Sequence, residues 1–335
     1  MRKTQYAARG IPRFLVLGAL LITLLAVSVF VGRYPAPFWM APSLLREDPL
    51  ALQLVLNLRL PRILAACLLG MALSASGAVL QMIFRNPLVE PGFLGVSQGA
   101  AFGAAFSIIV LGGSPLVIQG SAAFFACLGL AFSSFLARRI RYGGWTLRLV
   151  LAGIAVSAMF SAGLGLFKYI ADPLTQLPEL VFWMLGALWG ITWSDVLTIL
   201  PVTVVALVII TLMRWRLNLL SLDDETAFSL GTAPARERMV LLVAAVASTA
   251  AVVSVAGIVG WVGLIVPHLA RRLLGADAQH ALPGSMLIGG TFAVLCDDVA
   301  RTALSGEIPL GILTSLIGAF VFVVLMVSKN PVGNA

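Results

Sequence analysis

The sequence predicts an all-α membrane protein that crosses the bilayer about ten times. Of its 335 residues, 60% are hydrophobic and 11% are charged, and the mean hydropathy is +1.03. In a typical soluble domain, about a quarter of all residues are charged. Residues 91–137 contain no Asp, Glu, Lys or Arg, and this run alone is long enough for two crossings at roughly 20 residues each. We expect a single transmembrane domain over residues 1–335.

The spans are predicted from charge-poor runs bounded by Gly, Pro and basic residues. The first run, 14–32, is longer than the apolar part of a secretory signal and no A-x-A site follows it, so we expect it to stay as a transmembrane helix. The remaining predicted spans are 63–83, 93–111, 116–136, 148–167, 196–213, 239–256, 258–270, 284–300 and 311–328. The seventh and eighth are separated only by Gly257 and Gly260.

The distribution of basic residues predicts that both ends of the chain lie in the cytoplasm. With the N-terminus inside, sixteen of the 22 lysines and arginines fall on the inner side, as the positive-inside rule requires. The six on the outer side are Arg33, Arg46, Arg59, Arg62, Lys168 and Arg301. The net charge of +8 is therefore a sign of topology. We expect membrane lipid as a partner, and no nucleic acid.

The sequence lacks the residue patterns of the common catalytic and cofactor sites. None of its three lysines follows a glycine, so the chain has no P-loop to bind ATP. It also has no HExxH or GxSxG motif and no Cys/His spacing typical of a metal site. We expect no catalytic residue, metal or cofactor in this chain. The three cysteines are expected to be small core residues: Cys67, Cys127 and Cys296.

Residues 221–238, between the sixth and seventh spans, form an unusual charged module. They hold four of the fourteen acidic residues. Ser221 with Asp224 fits a capping box, and Gly231 supplies a stop, which predicts a helix of about nine residues followed by a second helix near Pro234. At about 13 Å this first helix is too short to cross the membrane. It is either a solvated connector or a docking element for a partner protein.

Three segments between the spans suggest a pathway with a gate. They are the outer segment 58–62, the inner turn 84–101 and the outer turn 297–311. Pro87 and Pro91 interrupt the inner turn, and irregular backbone near membrane depth is tolerated where it lines a cavity or is buried in protein. The alternative is that these segments are simply tight turns between spans and form no gate. Because the predicted spans hold almost no ionisable groups, an ion-coupled secondary transporter is disfavoured.

These segments resemble a known family. RLPRILAACLLGMALSASGAVLQMIFRNPLVEPGFLGVSQGAAFGA, VGLIVPHLARRLLG and DDVARTALSGEIPLGILTSLIGA are similar to stretches of the iron-siderophore, haem and vitamin B12 permeases of bacterial ABC importers. The match runs in order over residues 58–325. The resemblance implies a multi-pass protein of the inner membrane with ten helices per subunit. It also implies a homodimer, two separate ATPase subunits that bind ATP and Mg²⁺, and a binding protein that docks outside.

The resemblance also assigns roles to residues of this chain. The coupling loop, at about 214–238, would contact the ATPase through Leu222, Asp223, Asp224, Glu225, Phe228, Leu230 and Gly231. Docking of the binding protein would use Arg59, Arg62 and Arg301. The gate would comprise Asn86, Pro87, Leu88, Gly143 and Thr146.

The expected cargo is a metal chelate, namely a ferric siderophore, haem or cobalamin. Residues 168–190 resemble a branch that also includes permeases for oxyanions such as molybdate, which is one alternative. The other alternative concerns the mechanism: the chain could be an ATP-independent secondary transporter.

Overall fold

The computed structural model describes residues 2–327, with side chains from residue 13 onward. In the first half the helices are α1 (Arg2–Ser28), α2 (Leu44–Glu47), α3 (Pro49–Leu54), α4 (Leu60–Ile83), α5 (Val96–Val110), α6 (Pro115–Arg139) and α7 (Trp145–Ile170). In the second half they are α8 (Gln176–Leu185), α9 (Trp193–Leu212), α10 (Arg214–Leu220), α11 (Asp224–Ser229), α12 (Pro234–Ala256), α13 (Val262–Leu274), α14 (Ala278–Thr302) and α15 (Leu310–Val327). Two antiparallel strands of two residues, β1 (Val31–Gly32) and β2 (Phe38–Trp39), form the sheet of the described chain. The predicted all-α fold is confirmed.

Among the described residues, seven helical segments are long and apolar enough to cross a membrane. The first is Pro49–Ile83, because a π-helical turn at Val55–Arg59 joins α3 to α4 without a break. The others are α6, α7, α9, α12, α14 and α15, and two shorter apolar helices cover Arg13–Ser28 and Val96–Val110. Every predicted span overlaps a helix, and the eighth corresponds to the 13-residue α13. The count of ten crossings and the side of the termini stay predictions. Lys329, one of the sixteen basic residues assigned to the inner side, lies outside the described residues.

The core of the molecule is a tight group of helices around α4, in which glycines bring the backbones into contact. A Cβ at Gly70 would lie 2.0 Å from the carbonyl oxygen of Gly289 on α14. A Cβ at Gly77 would lie 1.9 Å from the carbonyl oxygen of Gly263 on α13. Small residues allow this approach in lipid, where helices associate by close packing. Helices α4, α13 and α14 therefore form one fixed unit.

Helix α12 packs against this unit with 72% of its apolar window buried, whereas α6, α7, α9 and α15 lie further out and keep much of their surface open. Only 28% of the apolar window of α15 is buried inside the chain, against 83% for the segment that contains α4. Cys67 and Cys296 are buried as predicted, whereas Cys127 is exposed on α6. The prediction that all three cysteines are core residues is therefore wrong for Cys127, because its helix presents that position to the surroundings of the protein.

Two breaks in the helices meet inside the protein. The first is a 3₁₀ turn at Pro91–Leu94 that ends at Gly95, whose φ of +80° favours glycine. The second separates α12 from α13, where Gly257 and Trp261 have φ values of +69° and +71°. The break expected near Gly257 is thereby confirmed. The third span begins its α-helix at Val96 rather than at residue 93, because the 3₁₀ turn occupies the preceding residues.

The charged module folds as a short helix between two turns, with one correction to its start. Asp223 caps α11 by accepting a hydrogen bond from the Thr226 N–H at 2.9 Å. Ser221, the predicted cap, instead donates to the Asn218 carbonyl at 2.6 Å. The helix is consequently six residues long rather than about nine. The stop at Gly231 (φ +82°) and the helix start at Pro234 are as predicted.

Candidate functional site

The coupling loop presents an apolar and acidic surface at one end of the molecule, which we call the loop end. Phe228 is 71% exposed and Leu230 is 54% exposed, and Leu222 is also exposed. Asp223, Asp224 and Glu225 are exposed beside them at the start of α11. Hydrogen bonds from Thr226 hold the pKa of Asp223 below its ordinary value, with a smaller contribution from the charge of Arg85. The carboxylate of Asp223 is therefore charged at neutral pH.

A chain of contacts leads from α11 to the two predicted gate turns, residues 86–88 and 143–146. Asp224 forms an ion pair with Nη1 of Arg238 at 2.7 Å. The Arg238 guanidinium lies 5.7 Å from the centre of the Trp145 ring, which stacks on Phe84 at 6.2 Å. Arg238 is buried and also donates to the Leu220 carbonyl at 3.1 Å. A displacement of α11 would thus reach both turns through one buried guanidinium.

The gate residues lie where these contacts end. Asn86 accepts a hydrogen bond from the Leu88 N–H at 2.9 Å, and residues 86–88 are all exposed. Gly143 has φ +78° and its carbonyl accepts from Nε of Arg148 at 2.8 Å. Thr146, half-buried, follows Trp145 on the first turn of α7. The structure thus brings the two predicted gate turns together, although their role as a gate stays a prediction.

Arg85 provides a second link between the coupling loop and the inner turn. Its guanidinium donates to the Leu222 carbonyl. Arg216 fixes the far end of the loop by donating to the Gly231 carbonyl at 3.1 Å, and it lies 3.5 Å from Glu237. The loop is therefore held at both ends, while the exposed side chains of α11 remain available to a partner.

A cavity of about 380 Å³ lies between the two helix breaks. The 3₁₀ turn and the Gly257–Trp261 break line it together with polar side chains of Glu90, Ser97, Gln98, Ser157 and Thr249. The backbone N–H of Trp261 lies near the Glu90 carboxylate, so the two breaks face each other across the cavity. Irregular backbone at this depth is therefore buried in protein and lines a cavity, as expected from the prolines of the inner turn.

At the opposite end, which we call the outer end, the three predicted docking arginines meet in one cluster. Nε of Arg62 lies 2.9 Å from Asp297, and its Nη1 lies 2.8 Å from Glu307. Arg301 pairs with Asp298 and donates to the Ser28 hydroxyl. These contacts join α1, α4 and α14 with the turn that precedes α15. Asp297 is 1% exposed, so the cluster is largely removed from solvent.

Burial changes the description of these arginines. Arg59 and Arg301 are 8% and 6% exposed, so they are not the freely exposed side chains that an outer-face position suggests. The physical reason is that groups inside the protein bind part of each guanidinium: carbonyls in the case of Arg59, and Asp298 with Ser28 in the case of Arg301. Arg59 donates to the carbonyls of Val29 and Tyr34 at 2.8 and 3.2 Å and makes no ion pair with a described acid. Nε and Nη1 of Arg301 make no hydrogen bond.

All three arginines line a cavity of about 480 Å³ at the outer end. A buried cation is ordinarily paired with an anion. Within residues 13–327 Arg59 has no acidic partner, so its positive charge borders this cavity uncompensated. Docking of a partner at these residues stays a prediction.

Sequence reasoning passed over several residues that the structure places at these sites. Glu90, Trp145 and Arg238 carry the contacts described above, but they belong to no motif of charged or catalytic residues. In the sequence, Arg238 is simply one of the sixteen basic residues assigned to the inner side. The sequence signal for Glu90 was its position in the inner turn 84–101, where an acid directly precedes a proline at a helix break. No group of His, Cys, Asp and Glu suited to a metal ion occurs within residues 13–327.

Comparison with known proteins agrees with this arrangement. The FecCD transport family matches residues 20–328. The chain is 39% identical over 314 residues to the molybdate import system permease protein MolB of Haemophilus influenzae, covering 92% of this chain and 93% of that protein. It is 38% identical over 283 residues to the hemin transport system permease protein HmuU of Yersinia pestis, covering 82% of this chain and 83% of that protein.

The fold is also that of a solved transporter. A metal-chelate type ABC transporter in an inward-facing conformation superposes with a TM-score of 0.87 at 39% identity, covering 94% of this chain and 98% of that one. The apolar helices, the two breaks and the whole-length similarity agree with one another. The chain therefore belongs to the FecCD transport family and is a multi-pass ABC importer permease of the bacterial inner membrane.

Proposed function

We propose that this permease imports a metal chelate, driven by ATP hydrolysis in two separate ATPase subunits that dock on the coupling loop. The observation that carries the proposal is the contact chain from Asp224 through Arg238 and Trp145 to Phe84. It gives a partner at α11 a physical route to both gate turns. The loop end is then the cytoplasmic side, in agreement with the distribution of basic residues.

The docking surface has the features that helix recognition requires. Phe228 and Leu230 supply exposed apolar anchors, and the acids of the first turn supply a charged rim. A nucleotide-dependent change in the ATPase shifts the permease only if the ATPase contacts the loop differently in its two states. The short α11, held at its ends by Arg85 and Arg216, can transmit such a difference as a rigid body.

A binding protein would deliver the cargo at the outer end. An acidic side chain of the binding protein would enter the arginine cavity and pair with Arg59, which has no acidic partner among the described residues. Two copies of the chain would enclose one path, with the open apolar faces of α7 and α15 against each other or against lipid. The central cavity offers few strong ligands, which suits a cargo that must not be retained.

A metal oxyanion is the second candidate cargo. The 39% identity with the molybdate permease over nearly the whole chain favours it, while the haem permease similarity favours the chelate. Elemental analysis and mass spectrometry of the cognate binding protein, purified without added ligand, decide between them. A bound organic chelate supports the first cargo, and a tetrahedral oxyanion supports the second.

The coupling role is tested with Phe228→Asp in proteoliposomes that contain the permease, its ATPase and its binding protein. We expect ATP-dependent uptake to fall at least about tenfold, because the substitution places a charge where the Phe228 ring would be buried between permease and ATPase. Phe38→Asp is the matched control, since Phe38 is similarly exposed but lies on β2 at the outer end. Normal uptake by Phe228→Asp, or equal loss in the control, would contradict the docking role. Uptake without any ATPase would favour a secondary transporter.

A further inference from the structure

An apolar groove of about 1030 Å³ lies on the side of the molecule between α6, α7, α9 and α12. Its walls include the exposed side chains of Val202 and Val205 on α9 and of Val240 and Val243 on α12. These helices belong to the membrane-spanning set, so the surroundings of the groove are hydrocarbon. None of the sites described so far uses these valines.

The length of the groove matches one leaflet of the bilayer. Along α12 the lining residues run from Ala235 to Ala247, and along α9 from Pro201 to Ile209. At 1.5 Å per residue these walls are about 18 and 12 Å long. The hydrocarbon core is about 30 Å thick, so a leaflet contributes about 15 Å. An acyl chain of a lipid in that leaflet fits the groove from end to end.

The charges at one end of the groove identify the head group. Arg138, at the end of α6, and Arg236, at the start of α12, both line the groove at the loop end. Both are exposed, and neither forms an ion pair with an acid among residues 13–327. The nearby Glu237 and Asp224 are already paired with Arg216 and Arg238. Trp145 lies at the same rim, where indole rings favour the membrane interface.

We propose that this groove is a specific site for an anionic diacyl phospholipid of the leaflet at the loop end. Arg138 and Arg236 bind its phosphate, and the valine-lined walls hold an acyl chain. Basic pockets between transmembrane helices recognise anionic head groups in this way. Because Trp145 lines the groove and also contacts Arg238, the bound lipid rests against the contact chain between α11 and the gate turns.

The site is tested by native mass spectrometry of the purified full-length chain in neutral detergent, with phosphatidylglycerol and phosphatidylcholine added in equal amounts. We expect retained phosphatidylglycerol to exceed phosphatidylcholine at least about tenfold, since each arginine near a membrane surface favours an anionic lipid by roughly fivefold. The double variant Arg138→Gln with Arg236→Gln should lose this preference. The double variant Arg139→Gln with Arg141→Gln removes two exposed arginines that do not line the groove, and should keep it.

A second variant separates the groove from general surface charge. Val243→Trp fills the groove and leaves both arginines in place, so it should reduce phosphatidylglycerol retention as well. Inorganic phosphate, which has no acyl chain, should not displace the lipid. Equal retention of the two lipids, equal loss in the control, or displacement by phosphate would overturn the proposal. A change from dimer to monomer in Val243→Trp with unchanged lipid retention would show that a second copy covers the groove instead.

Discussion

The two ends of the molecule each contain an arginine and carboxylate cluster, and the two clusters are built differently. At the outer end, Asp297 is 1% exposed and pairs with an arginine 235 residues away in sequence. At the loop end, Arg238 is also buried, but the side chain of its partner Asp224 is 65% exposed. The outer cluster joins the central helices to one another. The loop cluster joins a central helix to a short surface helix.

This difference separates a fixed end from an adjustable one. Breaking a buried ion pair leaves a charge that water cannot reach, so the outer cluster holds its geometry. An exposed carboxylate can leave its partner and be hydrated at little cost, since surface pairs contribute at most about 1 kcal/mol. The loop cluster can therefore change its contacts while the outer cluster keeps the helices in register.

Removing the buried carboxylate should have the largest effect. Asp297→Ala leaves Arg62 and Arg301 without their shared acid, and we expect a loss of about 3–5 kcal/mol in the free energy of unfolding. Thermal unfolding in detergent measures it. Glu307→Ala is the matched control, because Glu307 pairs with the same Arg62 from a half-exposed position and should cost less than about 1 kcal/mol. Similar losses in the two variants would remove the distinction between the ends.

Removing the buried arginine at the loop end should affect coupling more than stability. Arg238→Gln loses the ion pair with Asp224 and the contact with Trp145, while the freed Asp224 stays hydrated. We expect uptake per ATP hydrolysed to fall about tenfold in proteoliposomes, with the yield of folded protein unchanged. Arg139→Gln, which removes an exposed arginine that takes no part in these contacts, serves as the control. An unchanged coupling ratio in Arg238→Gln would show that force does not pass through this residue.

The smallest effect is expected at the helix cap. The lowered pKa of Asp223 means that its contribution to α11 is complete above the ordinary carboxyl pKa and is lost as pH falls through the lowered value. ATPase binding to the loop should thus be constant from pH 8 to about 5 and weaken only below about 4. At neutral pH, Asp223→Ala should weaken binding a few-fold, whereas Asp223→Asn, which still caps, should bind normally. A pull-down at several pH values tests both; loss of binding at pH 6 would exclude this assignment.

Local patterns in the sequence predicted much of the fold. The helix break at Gly257, the stop at Gly231 and the start at Pro234 follow from backbone preferences of single residues, which act the same way in every context. The cap at Asp223 was missed because Ser221 satisfies the same rule two residues earlier. When two residues fit a local rule equally, packing of the neighbouring chain decides between them.

The clusters could not be predicted in the same way. Arg62 meets Asp297 only because α4 and α14 pack through Gly70 and Gly289, and spacing along the chain does not contain that contact. The side chain of an arginine at the end of a span can either extend into water or turn into the protein. The local sequence around the arginine is the same in both cases, so it does not show whether the side chain is buried. Arg59 was therefore placed on the correct segment, but its burial required the structure.

The meeting of the two helix breaks means that main-chain dipoles border the central cavity. Gly95 has no side chain to cap α5, so the first N–H groups of that helix seek partners elsewhere, whereas in α13 the N–H groups of Val262 and Leu264 donate to the carbonyls of Gly260 and Trp261. Such groups attract water and partial negative charge without any ionisable side chain. A passage through this protein can therefore hold water although its sequence is hydrophobic. Hydropathy analysis and alanine scanning both miss this polarity, whereas replacing a backbone amide by an ester at the start of α5 would reveal it.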